Sequence, residues 1–116
     1  ESPLQHQIRI ADEDLEIRGK TIKQGQRVVL MLGAANRDPE VFPNPDQLDI
    51  CRNPNKHLAF GLGKHFCIGA PLARLEGHMV FTDILHRFPT LQLENNDIEW
   101  RVDTSMRNPK EMWVTF

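Results

Sequence analysis

Short runs of alternating apolar and polar residues open the chain. Over residues 6–32 the segments "QIRIA", "LEIRG", "KTIKQG" and "RVVLML" follow one another, punctuated at Gly19 and Gly25. Alternation of period two places apolar side chains on one face of an extended backbone, and the glycines supply turns, so the pattern predicts paired strands in a meander. The character changes between Gly33 and Pro54, where "NRDPEVFPNPDQLDICRNPN" carries prolines at positions 39, 43, 45 and 54. Val41, Phe42, Leu48 and Ile50 within it are expected to anchor a long ordered loop by packing over something.

From Ala70 the spacing becomes helical. Leu72, Leu75, Met79, Ile84 and Leu85 recur on one face, Val80 and Phe81 widen the stripe, and Phe88 closes it. Pro71 suits the first turn and Pro89 supplies the stop, which predicts a helix of about 16 to 18 residues. Beyond it, "TLQLE", "IEWRV" and "EMWVTF" read as strands, with "ENND" and "RNPK" as turns. No internal repeat and no low-complexity tract interrupts the sequence.

A chain of 116 residues holds one small domain, and a domain of that size hides only about two thirds of the surface its unfolded chain exposes, so a thin core is expected. With 40% apolar and 26% charged residues the composition is that of a globular protein. A formal net charge of -2 argues against nucleic acid as the partner, because phosphate backbones are bound by clustered lysine and arginine. No apolar run approaches the roughly 20 residues that span a bilayer, so no transmembrane segment is expected. Cys51 and Cys67 do not make a disulfide framework and no signal peptide is recognisable, so a reducing, cytoplasmic compartment fits. The abrupt opening "ESPLQH", without a starting methionine, is expected of a fragment or truncated homologue.

The candidate chemistry sits in "HLAFGLGKHFCIGAPLARLEG", residues 57–77. A lone cysteine is more often a small buried hydrophobe than a reactive group, and Cys51, without a motif around it, keeps that reading. Cys67 differs in standing at the turn into a helix, where backbone donors and the positive helix end favour an anionic sulfur, either nucleophile or ligand. Dithiol redox chemistry lacks its second sulfur, and a tetrahedral zinc site would need three more ligands. Gly61, Gly63 and Gly69 call for tight turns or close approach to something flat and bulky. A phosphate-binding loop is excluded because "GLGKHF" lacks the Gly-Lys-Ser/Thr ending. One sulfur, several glycines, an upstream phenylalanine and a cationic neighbour fit a large anionic cofactor held by one protein ligand.

The run "FGLGKHFCIG", residues 60–69, resembles the haem-binding signature of the cytochrome P-450 monooxygenases at every fixed position, and "APLARLE" resembles the start of the helix beneath their haem. "ANRDPEVFPNPDQLDICR" is similar to the meander region of soluble bacterial members, and "SPLQHQIRIA" to the segment leading from their K helix into the first sheet. The resemblance implies an α+β fold class, the C-terminal portion of the cytochrome P-450 fold. It would comprise a sheet region (1–34), a meander loop (35–59), a cysteine ligand loop (60–69), a proximal helix (70–88) and terminal strands (89–116). It implies haem b (iron protoporphyrin IX), and for the longer protein an O2-dependent monooxygenase that inserts one oxygen atom into a small apolar organic substrate.

By the same resemblance Cys67 is the proximal iron ligand and the metal- and cofactor-binding catalytic residue, a thiolate that pushes electron density toward iron. Phe60 matches the aromatic packed near that sulfur, Gly61 and Gly63 the tight ligand loop, and Gly69 the close start of the helix. His65 and Arg9 match the residues that contact haem propionates, for which an arginine fork is well suited. Lys56, Lys64 and Arg74 would face a ferredoxin- or flavodoxin-type electron donor, with Arg74 and Glu76 supporting the helix or that surface rather than touching haem. Leu4 to Ile8 and the hairpin near Ser105, Met106 and Arg107 would face substrate.

Two features set this chain apart from the pattern. Gln47 and Leu48 stand where the meander carries an arginine and a phenylalanine, so Arg52 or Arg37 is expected to compensate, or the meander is held weakly. The apolar stripe at Leu72, Leu75 and Met79 would lack part of its cover, which implies an oligomer or a partner over it. Two further readings are a truncated, non-catalytic haem-binding module and a haem-free interaction domain.

Overall fold

A computed structural model describes residues 2–101 and 106–116. The described residues fall into two compact units, residues 2–59 with residue 106, and residues 60–101 with residues 107–116.

In the first unit, β1 (Gln7–Ile10) and β4 (Arg27–Leu30) pair antiparallel, Gln7 opposite Leu30 and Ile10 opposite Arg27. Between them, β2 (Leu15–Ile17) and β3 (Lys20–Ile22) form a separate antiparallel pair. The four segments predicted as strands are all strands. Their connectivity corrects the meander expectation, because the first strand skips its neighbour and pairs with the last. The β2–β3 turn explains this nesting: Arg18 and Gly19 both have positive φ, 49° and 75°. Two residues in that conformation make the tight hairpin turn whose twist matches the flanking strands. Asp14 then ties the hairpin down, accepting from the Lys23 ammonium at 2.6 Å and from the Gln24 N–H at 2.8 Å. Leu4 makes an isolated antiparallel bridge with Met106.

A short helix, α1 (Leu32–Ala35), follows β4 and was not anticipated. The loop after it is bound by its own side chains. Arg37 pairs with Asp46 at 2.6 Å, and the Arg52 guanidinium donates to the Pro43 carbonyl at 2.8 Å. Arg37 and Arg52, the two arginines expected to compensate for Gln47, thus each bond within this loop. Of its four expected apolar anchors only Phe42 is buried. Leu48 and Ile50, expected to pack over something, are 94% and 90% exposed.

In the second unit, α2 (Ala70–Arg87) is the predicted helix, 18 residues long, with Pro71 in its first turn. The Phe88 N–H closes its last turn on the Ile84 carbonyl at 2.8 Å, and Pro89 cannot continue it. Two short strands follow, β5 (Gln92–Leu93) and β6 (Val114–Thr115), paired antiparallel. The rings of Phe88 and Phe116 meet at 4.6 Å, fastening β6 to the end of the helix. The segment "IEWRV" is not a strand in its described part: Trp100 makes only an isolated bridge with Pro109. The core is thin, as its length implied, with Ala11, Leu32, Phe42 and Ala70 the buried apolar residues among those described.

Candidate functional site

The cysteine loop lies wholly in the second unit. Gly61 and Gly63 have φ of 74° and 69°, values that a side chain strongly disfavours. A single 3-10 turn, Gly63–His65, follows, with the Phe66 N–H on the Gly63 carbonyl at 3.0 Å. The loop is closed by the Cys67 N–H, which donates to the Phe60 carbonyl at 2.8 Å. The chain then passes directly into α2. The Ala70 N–H bonds the Cys67 carbonyl at 3.2 Å and the Ala73 N–H bonds the Gly69 carbonyl at 2.9 Å.

Cys67 is exposed, and Leu62, Phe66 and Ile68 beside it in the loop are exposed as well, Ile68 at 98%. A polar loop tip would not carry three apolar side chains in water, so this surface is suited to an apolar occupant. A Cβ on Gly69 would sit 3.8 Å from Cys67 Sγ, so the glycine keeps one side of the sulfur open. Among the described residues no group of three or more His, Cys, Asp or Glu side chains is placed to hold a metal ion.

The aromatic residues of the loop are in contact. Phe60 and Phe66 have ring centroids 6.3 Å apart, tilted by 59°, a favourable arrangement for two aromatic quadrupoles. Arg74 of α2 places its guanidinium carbon 4.8 Å from the centroid of the Phe60 ring. His65 ends the 3-10 turn and is exposed, as are Lys56, Lys64 and Arg74.

Of the other candidate residues, Arg9 lies in the first unit and Arg107 in the second. Arg9 is half-buried on β1, with its guanidinium donating to the Ile8 carbonyl at 2.9 Å and to Gln7 Oε1 at 2.8 Å. Ser105 lies outside the described residues. Arg107 stacks over the Trp100 ring at 4.2 Å. Asn36, which the sequence pattern did not single out, is buried, and its Oδ1 accepts from the Leu58 N–H at 2.7 Å. Because that partner is a donor, the side-chain orientation is fixed, and Nδ2 is left buried without a partner among the described residues.

Residues 2–116 match the family model described as Cytochrome P450. The chain belongs to the cytochrome P450 family. It is 51% identical over 118 residues to the "Biotin biosynthesis cytochrome P450" of Bacillus subtilis (strain 168), covering 100% of this chain and 29% of that protein. It is 47% identical to the "Polyketide biosynthesis cytochrome P450 PksS" of the same organism, covering 92% of this chain and 27% of the relative. Among solved structures, P450BioI in complex with hexadec-9Z-enoic acid ligated acyl carrier protein superposes with a TM-score of 0.95 at 49% identity, covering 100% of this chain and 30% of that one. The chain therefore spans less than a third of the length of these P450 relatives. No helix among the described residues is long and apolar enough to cross a membrane.

Proposed function

We propose that this chain is the C-terminal, haem-binding portion of a soluble bacterial-type cytochrome P450 monooxygenase, with Cys67 as the axial thiolate. The observation that carries the reading is the loop itself: an exposed thiol, closed onto Phe60 by its own backbone and surrounded by exposed apolar side chains. When bound, haem b would supply the oxygen chemistry, and the protein would hold and tune it. Gly61 and Gly63 give the loop its tight path, and Gly69 keeps the sulfur's flank clear. His65 and Arg9 each serve a propionate. For Arg9 this requires its fork to exchange the Gln7 side chain for a carboxylate, a stronger acceptor for a guanidinium.

Residues 35–59 are the meander, self-tied by Arg37 and Arg52, and residues 70–88 are the proximal helix. The exposed Lys56 and Lys64 suit an acidic ferredoxin- or flavodoxin-type donor, and the protein works in the cytoplasm. The exposed stripe of α2 is covered by the rest of the longer protein.

The test is the ferrous-CO difference spectrum of the full-length protein beside its Cys67→Ala variant. The long-wavelength Soret band of a thiolate complex, lost on substitution, is the expected result. A spectrum indifferent to Cys67 would remove the ligand assignment. Haem binding without turnover under a competent reductant would favour a non-catalytic haem module.

A more specific substrate class is favoured by one relative. The similar P450BioI structure holds an acyl carrier protein ligated to hexadec-9Z-enoic acid, so we propose a carrier-tethered acyl chain as substrate. A substrate-induced spin shift produced by acyl-carrier protein and not by the unloaded carrier would support it. No response to the acylated carrier would exclude it.

A further inference from the structure

Arg74 is the fifth residue of α2 and is exposed, yet its guanidinium lies against the ring of half-buried Phe60 at 4.8 Å. A cation over an aromatic face is held by the ring quadrupole, and a planar guanidinium stacks there in a way an ammonium cannot. Phe60 is also the residue whose carbonyl accepts the Cys67 N–H at 2.8 Å. Whatever fixes Phe60 therefore fixes the backbone partner of the cysteine. Arg74 is joined to the thiol-bearing loop through one ring and one peptide.

Arginine also brings a permanent positive charge. Held against the Phe60 ring of the cysteine loop, it favours the more negative, reduced state of an iron bound at Cys67. Removing that charge moves the reduction potential in the negative direction. A residue that served only as a docking contact would leave the potential alone when no partner is present.

We infer that Arg74 is a positioning residue of the cysteine loop: stacked on Phe60, it holds the Phe60–Cys67 backbone pair and raises the reduction potential of the haem bound at Cys67. The second half rests on Cys67 being the haem ligand, whereas the first concerns the loop alone. Two independent readouts in the full-length protein separate them. One is the midpoint potential without redox partner or substrate, and the other is hydrogen exchange at the Cys67 amide in the haem-free protein.

The variants are Arg74→Gln, Arg74→Lys, Phe60→Leu and the Phe60→Leu/Arg74→Gln double. Arg74→Gln is expected to shift the midpoint to a more negative value and to speed Cys67 amide exchange, and Arg74→Lys to recover part of each. In the Phe60→Leu background the Arg74→Gln effects are expected to vanish, because the ring that couples the two is gone. Unchanged potential and exchange in Arg74→Gln overturn the inference, and slower donor-supported reduction alone would assign Arg74 to docking. Effects of the same size with and without Phe60 overturn it too, since the charge would then act without the ring. A wild-type protein that takes up no haem defeats the haem reading, while amide exchange still decides whether Arg74 holds the loop.

Discussion

The Cys67 N–H and the Phe60 carbonyl meet at 2.8 Å, and this one bond closes a loop that contains two glycines at positive φ. The closure needs both. With six residues between the partners, the backbone returns on itself only if some of them take the left-handed conformation, and Gly61 and Gly63 do so at 74° and 69°. Any other L-residue there costs about 1–2 kcal/mol. Gly61 is the tighter site, because an added Cβ would lie 3.5 Å from the His65 carbonyl. Gly61→Ala is therefore expected to lower the stability of the full-length protein by about 1–2 kcal/mol and to reduce its haem occupancy. Denaturant unfolding and haem titration check the two effects. An unaltered variant in both assays would mean that the loop does not depend on this backbone conformation.

Asn36 carries a similar burden in the first unit. Its Oδ1 receives the Leu58 N–H at 2.7 Å from within a buried side chain, and Leu58 precedes Phe60 by two positions in the sequence. Asn36→Ala leaves that amide without its acceptor, at a cost of about 1–3 kcal/mol. Asn36→Asp retains an acceptor but places a charge in a buried site, so it is expected to recover stability at low pH, where the carboxyl is neutral. Equilibrium unfolding of the two variants as a function of pH distinguishes the lost bond from the added charge.

The β2–β3 hairpin should show a pH dependence of its own. The Lys23 ammonium, and after it the Gln24 N–H, hold the Asp14 carboxyl below its ordinary value of 3.8. A carboxylate whose pKa is depressed by folding stabilises the folded state above its unfolded value. That contribution is lost as pH falls from about 3.8 through the lower folded value. Asp14 is exposed and its pair with Lys23 is screened by water, so the effect on stability is small. Titration of the Asp14 side-chain carbon by NMR is expected to give a midpoint below 3.8, and Lys23→Ala is expected to move it back upward. A midpoint indifferent to Lys23 would show that the contact is not made in solution.

Much of this structure is legible in the residue pattern, and the parts that are not share a cause. Alternation in "LEIRG" marks a strand, and Gly19 and Gly25 mark turns, because both reflect local backbone preferences. Which strands pair is a long-range matter, so the nesting of β2–β3 inside β1–β4 escapes a reading made along the chain. The helix from Ala70 to Arg87 is legible through Pro71, Pro89 and its apolar spacing, although nearly all of that apolar face is exposed. Pattern reports which residues seek cover, and says nothing of where the cover comes from. Leu48 and Ile50 mislead for the same reason.

The cysteine loop was expected through its resemblance to a family signature, and Gly61 and Gly63 do take the tight turns expected of them. Arg74 over Phe60 and Asn36 on Leu58 were not expected, since each joins residues with no periodic relation. Sequence position assigns Arg74 to the support of the helix or a partner surface, whereas in the fold it lies on the ring.

The exposed face of α2 gives the most direct test of what lies around this chain in the longer protein. Leu72, Leu75, Met79, Phe81 and Leu85 are all more than half exposed, Phe81 at 68%. A helix with such a face owes little of its stability to packing, and an 18-residue helix is marginal in water without it. The relatives are more than three times as long as this chain, by the 29% and 27% of their lengths that it covers. The rest of such a fold is therefore the expected cover. If so, Phe81→Ala in the full-length protein removes a buried ring and costs about 3–5 kcal/mol, as large-to-small changes in cores do. A face open to solvent would instead give about 0.5 kcal/mol or less. Denaturant unfolding of the full-length protein separates the two by a margin larger than its own error. A small cost would leave the α2 face to an oligomer contact or a partner, and the concentration dependence of the unfolding midpoint would then reveal self-association.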